Sequence, residues 1–240
     1  MIEYPPILIT GIPRSGASMI AGVINICGAF GGEMSGYKGI NENDEIKEIL
    51  EKPFLAGMDV DEMGQYPLPE SKNMKIPMDW KEMVSKTMES QGYQDGPWFY
   101  KSSRTALLWP VWHHAFPRAK WLIIRRRTGD IIESCIKTGY MKAFKNKEKR
   151  KAIGVDKEEG GWLWWVHEYE RRFVEMITEG LDCKVIYPER LVHGDYSQLY
   201  EAMDWLRLSW SYSIFNYIDP LLETSRKKEK EVRYGSISNK

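Results

Sequence analysis

Two stretches of this 240-residue chain combine residue types and spacings suited to holding anions. The first is Gly11-Ile12-Pro13-Arg14-Ser15-Gly16-Ala17-Ser18, between the strand-like run Ile7–Thr10 and an apolar pattern at Met19, Ile20, Val23, Ile24 and Cys27. That pattern has helical spacing, with Ser15 or Ser18 as the expected opening residue. A glycine turn leading from a strand into a helix presents first-turn amides that lack intrahelical acceptors and can cradle an anion. The second stretch runs from Trp121 to Ser134 and contains Arg125-Arg126-Arg127-Thr128-Gly129-Asp130. An arginine at a strand end and a serine on the following helix can reach one phosphate, the first with a planar fork and the second with a hydroxyl. Thr128 suits a cap position, and Asp130 suits the first helical turn.

The first stretch has the P-loop spacing of a glycine, four residues and a glycine. Ala17 stands where that motif carries its lysine, and only Arg14 supplies charge. The later apolar runs end in Arg125 and Pro188, with no aspartate that would hold Mg²⁺. Both gaps weigh against a nucleotide kinase or NTPase.

Several elements must position these groups. Strands are expected at Ile7–Thr10, Trp98–Lys101, Trp121–Ile124 and Cys183–Tyr187. Helices are expected near Asn43–Lys52, Asp79–Ser90, Thr105–Phe116 (bent at Pro110), Gly129–Phe144, Trp162–Ile177 and Tyr196–Leu208. Trp162, Trp165, Tyr169, Phe173 and Ile177 share a face expected to be core. Pro53–Pro77 has frequent Pro and Gly and reads as irregular. The wider segment 53–97 is a candidate lid or acceptor-binding segment. The charged tail from about 226 reads as mobile. Strands alternating with helices, without repeat or linker, predict one α/β domain over 1–240: a three-layer sandwich around a mainly parallel sheet, P-loop NTPase-like.

Together the two anion signals resemble the sulfotransferases that use 3′-phosphoadenosine-5′-phosphosulfate (PAPS). Pro13-Arg14-Ser15-Gly16-Ala17-Ser18 is similar to the loop that holds the 5′-phosphosulfate in that family, with alanine replacing the first threonine. Arg126 and Ser134, eight positions apart with Asp130 between, are similar to its 3′-phosphate site. Tyr37–Asn43, Lys101-Ser102-Ser103-Arg104, Phe116–Lys120, Tyr187–Leu191 and Met203–Leu208 resemble further family segments, so the likeness covers most of 5–222.

The resemblance implies sulfuryl transfer from PAPS to a hydroxyl or amine acceptor by in-line displacement, leaving 3′,5′-ADP, with no metal. It implies that Arg14, Ser15, Gly16, Ala17, Ser18, Arg104, Arg126 and Ser134 bind the donor and that Lys101 lies near it to neutralise charge. An acceptor hydroxyl also needs a base. The family's histidine is absent beside Lys101, so Glu42 is the first candidate and Glu33 the second. His113 and His114 fall inside a helix and read as structural. Arg233-Tyr234-Gly235 could close over the donor. A non-catalytic nucleotide-binding protein is a third reading, since Ala17 and the missing histidine depart from the pattern.

Composition sets the outer bounds. Thirty-four bases balance thirty-four acids, which argues against nucleic acid as a partner. Segment 33–62 carries nine acids and three bases, whereas 117–151 carries twelve bases and three acids. An anionic ligand near the latter fits, although a basic run such as Lys142–Lys151 also reads as a solvated helix end. Three widely spaced cysteines form no disulfide framework or zinc pattern, and no apolar run is long enough to span a bilayer. The expectation is a reducing, cytoplasmic location and a small-molecule, carbohydrate or other sulfate acceptor, with oligomeric state open.

Overall fold

The computed structural model describes residues 2–35, 41–138 and 142–218. Tyr37–Ile40, the tail from 226 and Arg233-Tyr234-Gly235 therefore lie outside the described residues. Four strands form one parallel sheet in the order β2-β1-β3-β4: β1 (Ile7–Gly11), β2 (Phe99–Lys101), β3 (Lys120–Ile124) and β4 (Cys183–Ile186). β1 pairs with edge strand β2 and central strand β3, aligning Leu8 with Tyr100 on one side and with Trp121 on the other. The chain runs from β1 to one side, then returns to the other, so the crevice beyond the carboxyl ends of β1 and β3 is a topological switch point.

Alternation along the strands builds two cores, which is what a sheet covered on both faces requires. Ile7, Ile9, Phe99, Leu122 and Ile124 face α1 (Ala17–Ile26) and, late in the chain, Leu199, Met203 and Leu206. Leu8, Tyr100, Trp121 and Ile123 face the opposite core, which is rich in tryptophan. Its helices include α2 (a helical run over 44–57), α3 (Trp80–Ser90), α4 (Arg104–Leu107) and α5 (Trp109–Ala115). They continue with α6 (Thr128–Thr138), α7 (Lys147–Ala152) and α8 (Glu158–Thr178), whereas α9 (Glu189–Val192) and α10 (Ser197–Leu206) cover the same face as α1. The result is the expected three-layer α/β architecture, with every described strand parallel. None of the described helices is long and apolar enough to cross a membrane.

Several boundaries differ from the sequence reading. The expected 105–116 helix is two helices broken at Leu108, with Pro110 in the first turn of the second, where its missing amide costs nothing. The helix near 43–52 continues to Gly57 through a π-helical turn, Lys47–Glu51, immediately before Pro53. A wider turn accommodates a residue with no amide to donate and a ring that crowds the preceding turn. α8 starts at Glu158. Trp162, Trp165, Tyr169 and Phe173 are buried as expected, but Ile177 is half exposed because it lies in the final turn. Within 53–97, helices at both ends frame a stretch fastened to α8. There Arg172, fully buried, donates to Pro69 O and Ser71 Oγ and pairs with Glu175 at 2.8 Å.

Gly11 is where β1 turns into the anion-site loop. A Cβ there would stand 2.5 Å from Ser15 Oγ and 2.6 Å from the Ile124 carbonyl. The second contact is backbone of the neighbouring strand and has no freedom to yield. Gly11→Ala is expected to cost about 1–3 kcal/mol of stability through overpacking. Urea unfolding checks this, and a midpoint equal to wild type would contradict it.

Candidate functional site

The loop after β1 bends sharply. Arg14 has φ 78° and Gly16 has φ 97°. The left-handed region is easy for glycine, whereas Arg14 bears a strain of about 1–3 kcal/mol. Gly16, not Ser15 or Ser18, caps α1, and no side chain caps the helix. Ser15 instead turns inward: it is 1% exposed and its Oγ has no partner among the described residues. Its amide donates to Ile12 O at 2.9 Å. The first-turn amides of α1, including those of Ala17 and Ser18, lack intrahelical acceptors at the carboxyl edge of the sheet.

The second motif meets the first here. Arg14 Nε donates to Ser134 Oγ on α6 at 2.9 Å, across 120 residues of sequence. Arg126, in the turn after β3, donates to the Arg14 carbonyl at 3.2 Å. Asp130 lies 3.7 Å from Arg126 Nε and accepts from Arg127 at 3.2 Å, so it steers both guanidiniums from the first turn of α6. Arg125 points elsewhere, pairing with Glu170 on α8 at 2.7 Å. Arg14, Arg126 and Ser134 thus form one cluster beside the loop of Ser15, Gly16, Ala17 and Ser18.

A second cluster lies at the end of β2. Lys101 Nζ donates to Glu42 Oε1 at 2.8 Å, with both side chains largely buried. Burial pushes the Lys101 pKa below its ordinary value; Glu42 opposes this, while nearby Lys47 and Arg104 add to it. Lys47 stands 3.8 Å from the other Glu42 oxygen. Burial disfavours the Lys47 charge, but Asp44, Glu42 and Glu48 outweigh it and raise its pKa. The neighbouring Asn41 anchors this loop to α1, donating to Ser18 O at 2.8 Å and Tyr217 Oη at 3.2 Å. Tyr217 packs against Gly22, where an added Cβ would meet its hydroxyl at 2.1 Å.

Arg104 opens α4 and is 6% exposed, with Nε unpartnered among the described residues. One of its terminal nitrogens is 3.8 Å from Glu62. Glu33 is exposed, and its amide donates to Gln91 Oε1 at 2.8 Å, on the side of the loop where Asn43 also meets Gln91. His113 and His114 lie on α5. Burial lowers the His113 pKa, with His114 adding to the effect.

Sequence reasoning missed Glu51. Its carboxylate is fully buried and accepts from Tyr100 Oη at 2.9 Å, Ser102 Oγ at 2.7 Å and Trp112 Nε1 at 3.3 Å. Burial pushes its pKa up to about 7, with Glu42 adding to the rise; Arg104, Ser102 and Tyr100 restrain it. One signal was present: Glu51 lies four positions before Leu55, which puts an acid on the apolar stripe of a helix.

No protein-family model matches the sequence, and no curated protein matches it. Solved structures do. The sulfotransferase domain from the curacin biosynthetic pathway is 17% identical, with 90% of this chain and 78% of that one covered and a TM-score of 0.56. The sulfotransferase from Alicyclobacillus acidocaldarius is 13% identical, with 88% and 84% covered and a TM-score of 0.54. At such identities the likeness is one of fold: the chain has the architecture of these sulfotransferases.

Proposed function

We propose that the protein is a sulfotransferase that moves a sulfuryl group from PAPS to a hydroxyl or amine acceptor by in-line displacement. The observation that carries this reading is the convergence of Arg14, Arg126 and Ser134 at the switch point, next to a glycine turn and a helix N-terminus. The residues fit a nucleotide with two anionic groups. The buried hydroxyl of Ser15 lacks a partner, the first-turn amides face the strand ends, and two arginines with a serine supply a fork and a donor.

In this reading Arg14, Ser15, Gly16, Ala17 and Ser18 hold the 5′ end of the donor, and Arg126 with Ser134 holds the 3′-phosphate. PAPS supplies the sulfuryl group and an anionic leaving group that needs no protonation. Lys101 places positive charge beside the reacting end, and buried Arg104 adds to the field. Glu42 takes the acceptor proton. Its hydrogen bond with Lys101 orients both groups before the reactants arrive, and movement of Lys101 toward the donor frees the carboxylate. Glu33 is the second candidate for the base. The proposed chemistry leaves small-molecule, carbohydrate and other acceptors open.

Calorimetric titration with 3′,5′-ADP, with ATP as control and no added metal, tests the donor. Tight 3′,5′-ADP binding is expected; preference for ATP, or binding only with Mg²⁺, would overturn the reading in favour of a kinase or NTPase. Arg126→Ala is expected to weaken 3′,5′-ADP binding at least ~tenfold more than 5′-AMP binding, because it removes a charged contact to one phosphate. Equal losses for the two nucleotides would contradict that role. Glu42→Gln is expected to leave 3′,5′-ADP affinity near wild type and to slow transfer by about 10²–10⁴-fold. The assay follows labelled sulfate from PAPS to an acceptor found by screening alcohols and amines. Unchanged turnover in Glu42→Gln, with slow turnover in Glu33→Gln, would move the base to Glu33.

A further inference from the structure

Glu51 takes no part in the roles above, yet it joins three elements of the site. It lies at the last position of the π-helical turn in α2, the turn that also carries Lys47. Oε2 accepts hydroxyls from Tyr100 on β2 and from Ser102 in the turn after β2, and Oε1 accepts the Trp112 indole of α5. Ser102 Oγ also accepts the backbone amide of Arg104 at 3.1 Å, so it relays Glu51 to the first residue of α4. Lys101 lies between Tyr100 and Ser102. A buried carboxylate that keeps three donors is a network in which each member fixes the others, and its charge is felt strongly in low dielectric.

We propose that Glu51 is a positioning residue for the Lys101–Arg104 turn: it holds that turn against α2, and its charge sets how strongly Lys101 and Arg104 grip an anion. The groups facing it are Tyr100 of β2, Ser102 and Arg104 at the start of α4, Trp112 of α5, Tyr169 of α8 and Glu42 before α2. Arg104 and Glu42 carry charge, of opposite sign. Ionised Glu51 adds a second negative charge and offsets Arg104. Neutral Glu51 leaves the cations with excess positive charge, so the turn grips an anion more tightly. With its pKa near 7, far above an ordinary glutamate, Glu51 is neutral in the folded protein below that pH and ionised above it. The grip therefore weakens as pH rises through neutrality. Only the identity of the anion rests on the sulfotransferase reading.

The test follows the Lys101 ¹³Cε resonance in ¹³C-lysine-labelled full-length protein, assigned with Lys101→Arg, as a function of pH and without nucleotide. Wild type is expected to show a step near pH 7, and Glu51→Gln, neutral throughout, is expected to lack it. A step that persists in Glu51→Gln, or no step in wild type, overturns the proposal. Should Glu51→Gln fail to fold, Ser102→Ala serves instead. Loss of one donor to the carboxylate is expected to move the step to higher pH, and an unmoved step overturns the proposal. PAPS titrations of wild type and Glu51→Gln add a second readout. Wild-type affinity is expected to fall by about three- to tenfold more than that of Glu51→Gln between pH 6 and pH 8, a coupling of one pKa unit or less. The phosphate of PAPS titrates in both proteins and cancels in the comparison. Failure of both proteins to bind PAPS or 3′,5′-ADP, with the Lys101 step intact, would sink the donor assignment and leave the role of Glu51 standing.

Discussion

The parallel pairing of β1 with β2 and β3 is the constraint on which the site depends. It brings three strand ends to one edge, and each contributes a different piece of chemistry. β1 ends in the glycine turn and α1, β2 ends in Lys101, and β3 ends in the arginine run leading to α6. The spacing between paired strands, about 4.8 Å, is short enough for groups from neighbouring loops to touch. Gly11 makes the pairing compatible with the turn, because a side chain there would run into the Ile124 carbonyl of the adjacent strand. Arg14 then reaches Ser134, and Arg126 reaches the Arg14 carbonyl, both contacts between residues more than a hundred positions apart.

Charge around the end of β2 is balanced by alternation. Lys101 meets Glu42, Glu42 meets Lys47, and Arg104 faces Glu51 and Glu62. Burying any one of these charges alone would cost several kcal/mol, so each ion holds its neighbour in place as much as it lowers the energy. The arrangement keeps a buried ammonium and a carboxylate in contact at 2.8 Å. The Arg172–Glu175–Ser71 group does a different task in the same currency of buried charge, fastening the 69–71 stretch to α8.

Much of this was legible in the sequence because the signals were local. The strand–glycine–helix pattern around Gly11 and the eight-residue spacing of Arg126 and Ser134 depend only on near neighbours. The apolar runs were short enough to read as strands. What was not legible depended on contacts distant in the chain. Gly16 displaced the serines as helix cap because Ser15 turns inward, a choice set by the walls of β1 and β3. The break at Leu108 lets the two short helices pack against α8 and α3, which no window of a dozen residues contains. Glu51 was hidden for the same reason, since its three donors come from residues 49, 51 and 61 positions away.

The alanine at position 17 is the sharpest departure from a nucleotide-triphosphate loop, and the geometry explains how the site manages without a lysine there. A lysine from that position meets the β- and γ-phosphates, and a metal held by a carboxylate at a strand end shares the load. In this chain the residue after β3 is Arg125, occupied with Glu170, and Asp130 in the first turn of α6 is held by Arg126 and Arg127. Positive charge comes instead from Arg14 and Arg126, which straddle the switch point, and from Lys101 one strand away. The arginines thus gather beside the loop, while the lysine stands at the end of the neighbouring strand. In the proposed reading, these cations serve a nucleotide with phosphate on both ends of its ribose in place of a triphosphate.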